Sequence, residues 1–75
     1  MELRKYIDTL ERGKAKELAE VLEVSRSYLS QMASGKTAIS PARCVDIEIA
    51  TNRVVTRKDL RPNDWFKIWP ELSAA

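Results

Sequence analysis

Leu3, Ile7 and Leu10 recur at helical spacing with Tyr6 beside them, which predicts a first helix over about residues 2–11. Gly13 either ends that helix or lies in the connection after it. The next run, KAKELAEVLE, sets Leu18, Val21 and Leu22 at i, i+3 and i+4, with Ala19 next to Leu18. This predicts a second amphipathic helix of about two to three turns. Glu23-Val24 breaks it. Ser25 then caps a third helix, because a serine oxygen accepts a backbone N–H at a helix start. That helix runs to Ser34, and Gly35 suits the left-handed residue that follows a helix end.

Beyond the loop GKTAIS, Ser40 as N-cap and Pro41 at the first helical position open a fourth helix. Cys44, Ile47 and Thr51 share one face of it, and Val45 and Ile49 share another. The pattern then weakens to a short extended piece near Val54-Val55. A turn of helix capped by Thr56, with Asp59 three residues later, follows. Between Pro62 and Pro70 any helix is brief. Both tryptophans, Trp65 and Trp69, lie there, so this stretch is expected to pack down on the core. Residues 1–70 read as one all-α domain and 71–75 as a frayed tail.

Size narrows the means of stabilising such a fold. A chain of 75 residues buries only about 60% of the surface its unfolded form exposes. The single Cys44 excludes an internal disulfide and there is no histidine to help make a zinc site, which leaves helix packing, with or without a second copy of the chain. Cys44 reads as a small buried hydrophobe. The chain is expected to be soluble and unprocessed, in a reducing cytoplasm, because it has neither an apolar run long enough to span a bilayer nor a signal-like N-terminus.

Net charge is only +2, but its distribution is uneven. No acidic residue occurs between Glu23 and Asp46, whereas Arg26, Lys36 and Arg43 fall in that gap. With 32% of the chain charged, the gap points to a surface that meets a polyanion. The second and third helices, separated by a short break, have a helix-turn-helix outline. Ala19 is small where two helices cross closely, Val24 follows the turn, and Leu29 reaches back into the angle between them. The outer face of the third helix is then free to enter a major groove. Arg26 can contact guanine bidentately and Gln31 adenine, while Ser27 and Ser30 are short enough for close approach. Tyr28 either packs on the fourth helix or reaches the DNA backbone.

The stretch LAEVLEVSRSYLSQMASGK resembles the helix-turn-helix of Cro-like phage and prophage repressors, including the YdaS-type antitoxin-like regulators. The downstream ISPARCVDIEIAT and VTRKDLRP resemble the latter branch, so the likeness covers about residues 3–62. The resemblance implies a lambda-repressor-like fold of four to five helices and sequence-specific binding of duplex operator DNA. It also implies a bacterial host cell and association with the nucleoid. By position it makes Arg26, Ser27, Ser30 and Gln31 base readers and Ser25, Lys16 and Lys36 phosphate contacts. Lys14 and Arg43 join the phosphate set on charge and location, Arg43 lying where helix N-terminal amides also favour a phosphate. One departure is Glu23, which stands at the turn position commonly held by glycine.

Val45 and Ile49 are covered either by the tail or by a second subunit. A homodimer is expected at least on DNA, because two-fold dimers place two recognition helices about 34 Å apart on palindromic operators. No catalytic assembly, cofactor, metal, membrane partner or small-molecule ligand is expected. The expected function is a Cro-type transcriptional repressor that occupies the promoter. The main rival is an antitoxin-like or adaptor module whose chief partner is another protein. A non-specific nucleic-acid binder ranks lower, since the third helix offers only Tyr28 for base stacking.

Overall fold

The computed structural model of the chain describes residues 1–11 and 13–73. It contains six α-helices and no strand among the described residues. Helix α1 spans Leu3–Thr9, and Gly13, with φ 89°, opens α2 at Lys14–Val21. Gly13 thus belongs to the start of the second helix. The third helix, α3 (Arg26–Ser34), begins where the Ser25 hydroxyl oxygen accepts the Tyr28 N–H at 3.0 Å. Helix α4, Pro41–Ala50, begins the same way: Ser40 Oγ accepts the Arg43 N–H at 3.2 Å, with proline in the first turn.

Three of these helices stop by one device. After α2, the Val24 N–H bonds back to the Ala19 carbonyl and the Glu23 N–H to that of Glu20, each at 3.0 Å. After α3, Lys36 and Gly35 bond back to Gln31 and Met32; after α4, Arg53 and Asn52 bond back to Glu48 and Ile49. This is the Schellman arrangement, which requires a left-handed residue just past the helix. Gly35 supplies it at φ 81°, and Glu23 and Asn52 supply it at φ 58° each. Helix α2 therefore ends before Glu23, and the turn keeps its helix-turn-helix geometry without glycine. A side chain in that conformation costs about 1–2 kcal/mol. The burial of Leu22 and half-burial of Val24 on either side of it offset the cost.

Ala19 and Leu29 are each 2% exposed where α2 and α3 cross, and Leu18, Leu22 and Met32 fill the same core. Covering Leu29 contributes about 1.5–3 kcal/mol. Leu3 docks α1 against it, and Cys44 and Ile47 close it from α4. Val21, read above as part of the buried stripe of α2, is 69% exposed. The inward face of α2 centres on Leu18, Ala19 and Leu22, which leaves Val21 on its outer shoulder.

Two consecutive left-handed residues, Asn52 and Arg53, reverse the chain after α4. Val54-Val55 form a bend rather than an extended segment, with Val55 fully buried. Thr51, also buried, holds the bend: its hydroxyl donates to the Ile47 carbonyl at 2.8 Å and accepts the Val55 N–H at 3.1 Å. Thr56 and Asp59 form the reciprocal capping box that starts α5 at Arg57–Leu60. A single turn, α6 (Trp65–Ile68), and a 3-10 turn at Pro70–Leu72 complete the chain. Each of the last two α-helices has four residues, so the expected four to five helices become six by the splitting of the tail into short turns.

Trp69 enters the core, and Trp65 and Leu72 pack against it. Arg57 lies 5.3 Å from the Trp69 ring centre and 3.1 Å from Glu48, and Lys58 lies 4.5 Å from the Trp65 ring centre. Arg61 grips both Asp64 oxygens, at 3.0 and 2.7 Å, and donates its remaining arm to the Ile39 carbonyl. That fork fastens the loop after α3 to the tail. Of the stretch expected to fray, Ala74 and Ala75 lie outside the described residues.

Candidate nucleic-acid interface

Leu29 and Met32 anchor the inner side of α3, so the side 180° away is fixed by the helical repeat. Arg26, Ser27, Ser30, Gln31 and Ser34 occupy it, and all five are exposed. The spacing i, i+1, i+4, i+5, i+8 makes one continuous stripe along the helix. Arg26 is exposed and has no hydrogen-bond or ion-pair partner among the described residues. Tyr28 is half-buried and packs against the core.

The flanking residues divide. Ser25, Lys16 and Lys36 are exposed, as phosphate contact requires. The Ser25 oxygen is occupied by the Tyr28 N–H, but its hydroxyl hydrogen remains free to donate. Lys14 pairs with Glu17 at 3.3 Å on the surface. A pair with both partners this exposed is weak and yields easily to a phosphate.

Arg43 makes an internal contact that the sequence does not reveal. Its Nη1 donates to the Leu22 carbonyl at 2.7 Å, so it staples the first turn of α4 to the end of α2. That carbonyl is one of the orphan acceptors every helix end leaves, and an arginine is a common partner for it. Charge and position pointed to a phosphate contact; an acceptor 21 residues earlier in the chain leaves no local trace in the sequence.

Val45 and Ile49 also part company. Val45 packs against the core, whereas Ile49 is 69% exposed. Its exposed apolar companion is Val21, and the two line an open groove between α2 and α4 with Leu22, Glu23, Arg43 and Asp46. The acids that bound the carboxylate-free segment therefore gather at this groove.

Gln31 has more partners than its type suggests. Its backbone carbonyl accepts the Lys36 N–H at 3.0 Å and the Ser34 hydroxyl at 3.2 Å. Its side-chain Oε1 accepts the Thr37 hydroxyl at 3.3 Å. The loop that carries Lys36 is thereby folded back onto Gln31. Thr37 was not among the residues singled out from sequence, where it reads as an ordinary loop threonine.

A family model described as bacterial toxin YdaS matches residues 3–68. The chain belongs to that family. YdaS-family proteins are small, phage-associated and of Cro/lambda-repressor-like helix-turn-helix type. The matched region runs from the start of α1 to the end of α6, so α3, its turn and the α2–α4 groove all lie inside the YdaS homology. No curated protein matches the chain.

The remaining chemistry of this YdaS-family domain is sparse. Cys44 is fully buried, and burial pushes its thiol above the ordinary value, which suits a packing role. Among the described residues no group of histidine, cysteine, aspartate and glutamate is placed to hold a metal ion. No helix among them is long and apolar enough to cross a membrane.

Proposed function

We propose that the chain is a sequence-specific regulator that binds duplex operator DNA through α3 and represses by occupying a phage or prophage promoter. The observation that carries this reading is the exposed stripe of Arg26, Ser27, Ser30 and Gln31 within a segment free of carboxylates. Those side chains suit the base edges of a major groove, and a carboxylate there would oppose the phosphates. Lys16, Lys36, Lys14 and the Ser25 hydroxyl would fix the domain's register on the backbone. Arg43 would act through the staple on α2 and not through a phosphate. The function involves no covalent catalysis and no cofactor, and the site of action is the bacterial nucleoid.

Binding as a homodimer belongs to the same proposal, with Ile49 and Val21 as the apolar seam. The test is selection of bound duplexes from a random pool, which returns the operator, half-site spacing and symmetry together. A palindromic consensus is expected. Against it, Arg26→Ala should cost roughly 1–3 kcal/mol and relax preference at one base pair. No enrichment of any sequence would overturn the proposal.

A second reading is favoured by one feature, the α2–α4 groove where Val21 and Ile49 are each 69% exposed beside Glu23 and Asp46. Apolar surface rimmed by charge suits a protein partner. On that reading a Val21→Ser, Ile49→Ser double variant loses the partner while Arg26→Ala keeps it.

A further inference from the structure

The loop after α3 does more than end the helix. Gly35 turns the chain back, the Lys36 N–H closes on the Gln31 carbonyl, and the next residue, Thr37, reaches the Gln31 side chain. Three hydrogen bonds from residues 34, 36 and 37 therefore converge on one residue of the exposed stripe. Thr37 itself is half-buried, which limits its own freedom and makes it a firmer support than a fully exposed side chain.

We infer that Thr37 is a positioning residue that holds the Gln31 amide ready to read an adenine edge in the major groove. The inference rests on the reading of α3 as the groove-facing helix. A glutamine has three side-chain torsions, and ordering them on binding has an entropic cost. The Thr37 hydroxyl takes one lone pair of Oε1 and leaves the second lone pair and both Nε2 hydrogens free. Adenine presents a donor at N6 and an acceptor at N7, the complement of that remaining set. Thymine on its major-groove edge presents an acceptor and a methyl group, which meets only half of it. The bond thus favours one side-chain pose before DNA arrives, and the same loop carries Lys36 toward the neighbouring phosphate. Base reading and backbone contact become parts of one rigid unit.

The test uses the full chain and the operator selected above. Affinity is measured for that duplex and for every single-base-pair variant of it, with the parent, Gln31→Ala, Thr37→Val and Thr37→Ser. Valine keeps the threonine shape and removes the hydroxyl; serine keeps the hydroxyl. Gln31→Ala is expected to flatten preference at one base pair. Thr37→Val is expected to reduce preference at that same pair by about five- to tenfold, the scale of a good base contact. Thr37→Ser is expected to restore most of it, with melting curves of all four proteins recorded alongside. Thr37→Val with the parental profile, or weakened equally against all duplexes, overturns the positioning role while leaving Gln31 as a reader. A Gln31→Ala profile identical to the parent overturns the base reading itself, and the role of Thr37 falls with it.

Discussion

Replacing Arg43 with methionine separates a structural role from a DNA-contacting one. The guanidinium donates 2.7 Å to the Leu22 carbonyl at the end of α2, where no further helical turn exists to receive it. Methionine retains an unbranched apolar stem and removes the donor. A hydrogen bond from a charged group contributes about 1.5–3 kcal/mol. Arg43 is half-buried and borders an open groove, so water can reach the freed carbonyl and recover part of that. The expected loss is therefore about 1–2 kcal/mol. For a domain of this size each kcal/mol moves the thermal midpoint by roughly 4–8 °C, so Arg43→Met should melt about 5–15 °C lower by circular dichroism. The second assay is the salt dependence of operator binding at a temperature where both proteins are folded. Loss of one phosphate contact lowers the slope of log K against log salt by about 0.9. A staple predicts an unchanged slope. Unchanged melting together with a slope reduced by about one would refute the structural role.

Other positions give independent tests. Glu23→Gly relieves left-handed strain of about 1–2 kcal/mol but adds flexibility to the unfolded chain worth about 0.5–1 kcal/mol, so urea unfolding should show a net gain near 0.5–1 kcal/mol. A loss of stability there would mean that the Glu23 side chain contributes something beyond the turn. Thr51→Val leaves the buried Val55 N–H without its acceptor and should destabilise by about 1–3 kcal/mol in the same assay; parental stability would show that the hydroxyl is dispensable. The hydrogen bonds from Arg61 hold the Asp64 carboxyl below its usual value of 3.8. Because the folded value is the lower one, the fork's contribution is present above the unfolded value and disappears as pH falls through the folded one. Unfolding midpoints followed from about pH 5 to about pH 2 should therefore drop, and Asp64→Asn should show a shallower drop. Equal slopes for the two proteins would remove Asp64 from the account.

How far the sequence revealed this molecule depends on the range of the interactions involved. Ser25, Ser40 with Pro41, Thr56 with Asp59, and Gly35 act on backbone groups within about four residues. Each start or stop could be read directly, and each occurs in the structure. The stop at Glu23 is visible as a break; its left-handed conformation is legible only through the resemblance, which puts Glu23 at a turn position commonly held by glycine, since nothing in a glutamate announces it. Val21 was misplaced because i, i+3, i+4 spacing describes a stripe without fixing its centre; contact with α3 fixes it at Ala19. Arg43 and Arg61 each meet a carbonyl at least 21 residues away, a distance at which local pattern carries no information. The exposed stripe of α3 was legible because two anchors, Leu29 and Met32, determine all the other directions of a short helix. Thr37 was not, because its importance comes from a turn that returns the chain to Gln31.

The most direct test of the central claim is a backbone-amide chemical-shift map of the domain titrated with its selected duplex. Perturbations are expected to concentrate on Ser25–Gln31 and Lys36, with weaker ones at Lys14 and Lys16. Shifts confined to the groove around Val21 and Ile49, with the amides of α3 unmoved, would contradict the claim.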